Sequence, residues 1–207
     1  MTPPVLVLCS ASPRRRELLS SLGLSFEVEA PHLDESRKPG EAPAALAERL
    51  AREKAMAGLA AFHARSPVRA VAIAADTVVA VGDADLGKPA GRDDAARMLR
   101  ALSGRVHRVT SGVCVAGPTE PQDAECALRS IAVSTEVRFR KLSEAEIAWL
   151  AASGDGDDKA GGYALQGLAG AFIERIEGSV TSVIGLPLVE TLGLLAEAGV
   201  RLPWEAK

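Results

Sequence analysis

Asp76 stands in the middle of an apolar run, Val71-Ala72-Ile73-Ala74-Ala75-Asp76-Thr77-Val78-Val79-Ala80-Val81. An unpaired charge in such surroundings is costly, so the carboxylate needs a metal ion, a cation, or a proton taken up in catalysis. The plainer alternative is a turn between two short strands, with Asp76 accepting backbone N–H groups. Lys54 is a second candidate. Leu46, Leu50 and Lys54 follow at i, i+4 and i+8 on one helix face, and Ala51, Ala55 and Gly58 leave space beside them. The ammonium either snorkels at the edge of that stripe or reaches into a site. A third candidate is the run Ser10-Ala11-Ser12-Pro13-Arg14-Arg15-Arg16. Ser12 suits an N-cap and Pro13 the first helical position, which puts Arg14 and Arg15 at the positive pole of a helix. Each cation there is disfavoured by about 0.3–1 kcal/mol. A bound anion such as phosphate would offset this, and so would water or nearby carboxylates.

Gly82-Asp83-Ala84-Asp85-Leu86-Gly87-Lys88-Pro89 has the G-x-x-x-x-G-K spacing of a phosphate loop, but Pro89 stands where a metal-binding hydroxyl is needed. Two acidic residues inside the loop would also repel phosphate. A turn at Gly82-Asp83 followed by an extended Lys88 fits better, and Lys88 can still meet phosphate as a point charge. In Asp157-Asp158-Lys159-Ala160-Gly161-Gly162-Tyr163-Ala164-Leu165-Gln166-Gly167, paired glycines allow close backbone approach. Gln166 offers a donor and an acceptor suited to a nucleobase edge. A flexible acidic loop leading into a strand is the alternative. His32, His63 and His107 have no metal-ligand spacing and read as structural. Ser10 and Ser12 have no visible base partner, which leaves a serine nucleophile unsupported.

These residues must be held by an ordinary globular framework. The chain has 207 residues, 47% hydrophobic and 25% charged, with net charge −3. The acidic balance and an aromatic fraction of only 3% argue against a nucleic-acid footprint and against single-strand stacking. Cys9, Cys114 and Cys126 are odd in number, without C-x-x-C spacing, and read as buried thiols of a reducing compartment. No basic segment precedes a long apolar run at the N-terminus, and no stretch approaches a membrane span; a soluble cytoplasmic protein is expected. Strands are expected over 5–9, 25–30, 71–81 (interrupted at Asp76-Thr77), 106–116, 127–139, 163–176 and 180–184. Helices are expected over 14–22, 43–63, 92–102, after the capping box Ser143/Glu146, and from Pro187 to Gly199. Short loops between neighbouring strands predict a mixed, partly antiparallel twisted sheet flanked by helices.

The ordered set of segments resembles the Maf family, the septum-formation-inhibitor-like nucleoside triphosphate pyrophosphatases. The matching stretches are Ser10-Ala11-Ser12-Pro13-Arg14-Arg15, Glu35 in its loop, Ala51-Arg52-Glu53-Lys54, Ala75-Asp76-Thr77, Gly87-Lys88-Pro89, Ser103-Gly104 with His107, Asp158-Lys159-Ala160-Gly161 with Gln166-Gly167, and Gly185-Leu186-Pro187-Leu188. The resemblance spans nearly the whole chain and implies one domain over 1–207, a Maf/ITPase-like α/β fold with a cleft between two lobes, a divalent cation (Mg²⁺ or Mn²⁺) and a homodimer. It implies hydrolysis of a nucleoside triphosphate to monophosphate and pyrophosphate, with a link to nucleotide-pool sanitation and cell-division arrest. Asp76 matches the family's catalytic acid/base. Arg14, Thr77 and Gln166 match its substrate-selecting residues, and Ser10, Arg15, Lys54 and Lys88 its substrate pocket. Glu35 and Asp76 are the implied metal ligands. The Lys159-to-Gln166 stretch is more similar to the branch acting on dTTP and UTP. The loop Gly154-Asp155-Gly156-Asp157 departs from the family, whose members often carry an acidic residue and proline there. The rival reading is a non-catalytic nucleotide- or nucleic-acid-binding regulator of septum formation; a phosphate-loop kinase is weighed against by Pro89.

Overall fold

The computed structural model describes residues 3–82, 84–123 and 125–205. Its elements in chain order are β1 (Val5–Leu8), α1 (Pro13–Ser21), β2 (Glu27–Val28), α2 (Pro43–Arg65), β3 (Ala70–Val81), β4 (Ala84–Leu86), α3 (Arg92–Leu102), β5 (Val106–Thr119), β6 (Leu128–Phe139), α4 (Glu144–Ser153), β7 (Ile173–Glu177), α5 (Val180–Ile184) and α6 (Leu188–Glu197). The seven strands form one sheet in the order β2-β1-β3-β5-β6-β7, with β4 also paired to β3. β1 pairs in parallel with β2 and β3, whereas β3–β4 and β6–β7 are antiparallel. The expected mixed α/β architecture is thus present. No helix among the described residues is long and apolar enough to cross a membrane.

The chain divides into two compact units; three of the four divisions fall inside β3, β5 and β6, and the fourth follows α5 (Val180–Ile184). The first unit comprises 1–76, 111–132 and 185–207; the second comprises 77–110 and 133–184. In the first unit, β1 and β3 bury alternate residues on two faces. Leu6, Leu8, Val71, Ile73 and Ala75 pack with Leu19 of α1 and Leu195 of α6. Val7, Cys9, Ala70, Ala72 and Ala74 pack with Ala51, Ala55, Leu59 and Phe62 of α2. The second unit has its own core, in which Met98, Leu99 and Leu102 of α3 join Phe139, Ile147, Leu150, Tyr163 and Phe172.

Four sequence expectations need correction. β3 runs through Asp76-Thr77 without a break, because Asp76 finds a cation and needs no turn to satisfy it. Only Glu27–Val28 of the expected strand over 25–30 pairs with β1. Residues 163–172 are not strand: a turn leads into a 3₁₀ segment, Leu168–Phe172, and pairing begins at Ile173. Gly161 and Gly162 lie at φ of 78° and 69°, which extended L-residues do not adopt. Val180–Ile184 is a helix despite its β-branched residues. Ser179 overrides their propensity: its hydroxyl accepts the Ser182 N–H at 3.2 Å, and its carbonyl accepts the Val183 N–H at 3.2 Å. The expected turn at Gly82-Asp83 includes Asp83, which lies outside the described residues. Cys9 and Cys114 are buried as expected, Cys126 is only half-buried, and all three are free thiols.

Candidate active site

The period of two along β3 turns Asp76 to the same side as Ala72 and Ala74, the side covered by α2. Lys54 comes from α2, one turn beyond the buried Leu50. Its Nζ lies 2.6 Å from Asp76 Oδ1 and 2.6 Å from Glu35 Oε1. Lys54 and Asp76 are 9% and 8% exposed, whereas Glu35 is exposed. The ammonium therefore ties an inner carboxylate to one at the surface, and the two opposite charges within the core edge compensate each other's desolvation. Lys54 does not snorkel at the edge of its stripe: it is buried and ion-paired.

The short reach of Lys54 depends on a close seat for α2. A Cβ on Gly58 would overlap the side chain of Cys9 in β1, and one on Gly112 in β5 would overlap the Ala47 carbonyl of α2. Both glycines are therefore fixed by contact with neighbouring atoms.

The hydroxyl-rich turn builds the adjoining cationic side. Ser12 caps α1 by accepting the Arg15 N–H at 3.5 Å. Ser10 Oγ accepts the Ser12 N–H at 3.2 Å and Arg15 Nη1–H at 3.2 Å, and Arg15 Nε donates to the Gly185 carbonyl at 2.8 Å. Burial lowers the pKa of the Arg15 guanidinium from its ordinary value, while the charges of Asp76 and Glu35 act in the opposite direction and Arg14 adds to the lowering. Arg15 and Arg14 thus share one electrostatic neighbourhood with the two carboxylates. Ser10, Arg15, Glu35, Lys54 and Asp76 are brought together within the first unit, with Arg14 half-buried beside them.

Arg49 was not apparent as a contributor. Its Nη2 donates to the Ser36 carbonyl at 3.0 Å and to Glu41 Oε2 at 2.9 Å, its Nε donates to Glu41 Oε1 at 2.6 Å, and its Nη1 meets Glu53 Oε2 at 3.0 Å. The guanidinium fork thereby fastens the loop that carries Glu35 to α2, and its hydrogen bonds hold the Glu41 carboxyl down at about 2. The one available signal was the i, i+4 pair Arg49/Glu53 on a predicted helix.

Thr77, Lys88 and Gln166 belong to the second unit. Thr77 is half-buried in β3, and Lys88 and Gln166 are exposed. The Gly161 N–H donates to the Gly87 carbonyl at 3.0 Å, which joins the segment before Lys88 to the one that leads to Gln166. His107 is a core residue, as expected. It is stacked on Phe139, and its Nε2 lies 2.7 Å from the Tyr163 hydroxyl.

Glu35 and Asp76 present hard oxygen donors to one cation, which is the donor chemistry Mg²⁺ and Mn²⁺ favour. Among the described residues no group of three or more His, Cys, Asp or Glu is placed to hold a metal.

A family model described as Maf-like protein matches residues 5–198. A dTTP/UTP pyrophosphatase of Anaeromyxobacter dehalogenans is 48% identical over 202 residues, covering 98% of each chain. One from Anaeromyxobacter sp. Fw109-5 is 49% identical over 97% of this chain and 93% of its own, and one from Myxococcus xanthus is 48% identical over 98% and 96%. A solved nucleoside-triphosphatase/dITP/XTP pyrophosphatase of Mycobacterium abscessus overlaps loosely, with TM-score 0.35 and 15% identity over 64% of this chain and 73% of that one.

Proposed function

This chain belongs to the Maf-like protein family, and we propose that it is a nucleoside triphosphate pyrophosphatase preferring dTTP and UTP. The observation that carries the reading is the cluster of Lys54 between Asp76 and Glu35, with Arg15 in its electrostatic reach. The names borne by relatives covering nearly all of the chain support the choice of substrate.

The cluster suits attack of water at the α-phosphorus. Asp76 accepts the water proton, the new bond forms between water oxygen and the α-phosphorus, and the bond from that phosphorus to the bridging oxygen breaks. Pyrophosphate leaves with the electron pair. Lys54, Arg14 and Arg15 counter the charge that accumulates on the phosphate oxygens. A Mg²⁺ or Mn²⁺ ion on Glu35 and Asp76 would add Lewis-acid stabilisation of that charge. Ser10 orients Arg15, and Arg49 orients the Glu35 loop. Lys88 contributes a further phosphate contact. Thr77 and Gln166 sort the base, a role supported by the motif resemblance and by the capacity of an amide to read a pyrimidine edge. The three unpaired thiols fit a reducing cytoplasm, and the resemblance supports a homodimer, which sedimentation would test.

A panel of nucleoside triphosphates with Mg²⁺ or Mn²⁺, assayed for pyrophosphate and ranked by kcat/KM, tests the proposal. dTTP and UTP should lead, with the monophosphate and pyrophosphate in equal amounts. Binding without turnover would favour a non-catalytic nucleotide-dependent regulator instead.

A further inference from the structure

Gln166 is exposed, yet the backbone that carries it is fastened on both sides. It occupies the third position of a four-residue turn closed by the Gly167 N–H on the Ala164 carbonyl at 3.2 Å. Immediately before the turn, Tyr163 is 6% exposed. Its hydroxyl meets His107 Nε2 at 2.7 Å, and its ring packs edge-on against Phe139 at 5.1 Å between centroids. Immediately after the turn, the Leu168 N–H donates to Asp155 Oδ2 at 3.0 Å. Asp155 lies so close under the turn that a Cβ on Gly167 would overlap its carboxylate. The Asp155 backbone is itself set by its N–H on Ser153 Oγ at 3.2 Å. A Cβ on Gly156 would overlap the Gly162 carbonyl, so the two arms of the loop also touch.

We propose that Asp155 and Tyr163 are specificity-positioning residues: they clamp the turn from both ends so that the Gln166 amide meets the base in one fixed orientation. The inference rests on the reading of this chain as a triphosphate pyrophosphatase with Gln166 sorting the base. The physical reason is that a hydrogen-bonding site rejects the wrong partner only when its own groups cannot re-aim. A loose turn would let the amide swing or rotate toward other base edges and so lose discrimination, while the phosphate chemistry on Asp76 and Lys54 is left alone.

The experiment compares kcat/KM for dTTP, UTP, dCTP and dATP in wild type, Asp155→Ala, Asp155→Asn, Tyr163→Phe and Gln166→Ala, with thermal melting of each variant. Asp155→Asn keeps an oxygen acceptor for the Leu168 N–H and serves as the conservative rescue. Asp155→Ala and Tyr163→Phe should each lower the ratio of preferred to disfavoured base by about fivefold or more, with the loss in KM for the preferred base and kcat within about twofold. Asp155→Asn should retain the wild-type ratio. Gln166→Ala should lower the ratio at least as far, and adding Asp155→Ala to it should change the ratio no further. A wild type that discriminates while Asp155→Ala and Tyr163→Phe leave the ratio unchanged overturns the clamp alone. A ratio that Asp155→Asn fails to restore overturns it as well. A wild type without pyrophosphatase activity overturns the functional reading and the clamp together.

Discussion

Lys54 and Asp76 approach to 2.6 Å across 22 positions of sequence, and both are nearly shut off from water. In that setting the two charges are worth having only together. Asp76→Asn keeps an acceptor for the ammonium and leaves Glu35 to balance it, so the fold should survive. If Asp76 is the base, kcat for the preferred triphosphate should fall by at least about 10²-fold; near-normal turnover would remove it from that role. Lys54→Met leaves the inner carboxylate without its cation and should cost about 3 kcal/mol in urea denaturation. The double variant Lys54→Met/Asp76→Asn should recover most of that stability while remaining inactive. Asp76 was legible in the sequence because a carboxylate inside an apolar run has to be explained. Lys54 was only half legible: helical spacing gave its face, but nothing local named the partner waiting on a strand.

Among the elements, α2 does most to build the cluster. It supplies Lys54, it holds the Glu35 loop through Arg49, and it lies close on β1 at Gly58. Alanine in place of a mid-helix glycine ordinarily gains about 1 kcal/mol from helix propensity. At position 58 that gain should be reversed, because the new methyl group meets the side chain of Cys9; overpacking of this kind costs about 1–3 kcal/mol. Gly58→Ala should therefore lower the urea midpoint, and Cys9→Ala in the same chain should restore part of it. The glycine read from sequence as empty space beside Lys54 is filled by a neighbouring strand. The segments misread from sequence share one physical cause. Tyr163-Ala164-Leu165 and Val180–Ile184 carry strand-like residues, but glycines at positive φ bend the first and the Ser179 cap winds the second. Local hydrogen bonds and non-local packing won over propensity in both places. The helices with clear stop and start residues, α3 between Gly91 and Ser103 and α4 behind its capping box, were read to within a residue or two.

Taken as a whole, the molecule contains separate cores in its two units, and each is built mainly from aliphatic side chains. The second contains a cluster of rings in which His107 stacks on Phe139 and Tyr163 stands edge-on to both. Burial pushes His107 down from 6.5 to about 4. Between those two values the unfolded chain binds a proton that the native state refuses, so stability rises with pH over that window and is fully present above it. Acidification from pH 7 to pH 4 should thus remove about 3 kcal/mol through this group, by the usual 1.36 kcal/mol per unit. Urea midpoints measured across that range should fall less steeply in His107→Gln than in wild type. The acidic net charge and scarcity of rings already directed attention away from nucleic acid. The order of motifs along the chain carried the family, since 48% identity extends over 202 residues of a relative. How the division into two units would fall, with three of its four boundaries inside strands, left no mark on hydropathy or composition.

All three cysteines belong to the first unit, two of them sealed within it, with the Cys9 and Cys114 thiols pushed up to about 12. The single tyrosine belongs to the second. The protein therefore carries its own pair of independent gauges. Reaction of Cys9 and Cys114 with a thiol reagent clocks each opening of one core, while the ring NMR signals of the single tyrosine follow the other. Labelling that outruns the tyrosine signal in mild denaturant would reveal two melting steps, and coincident curves would reveal one.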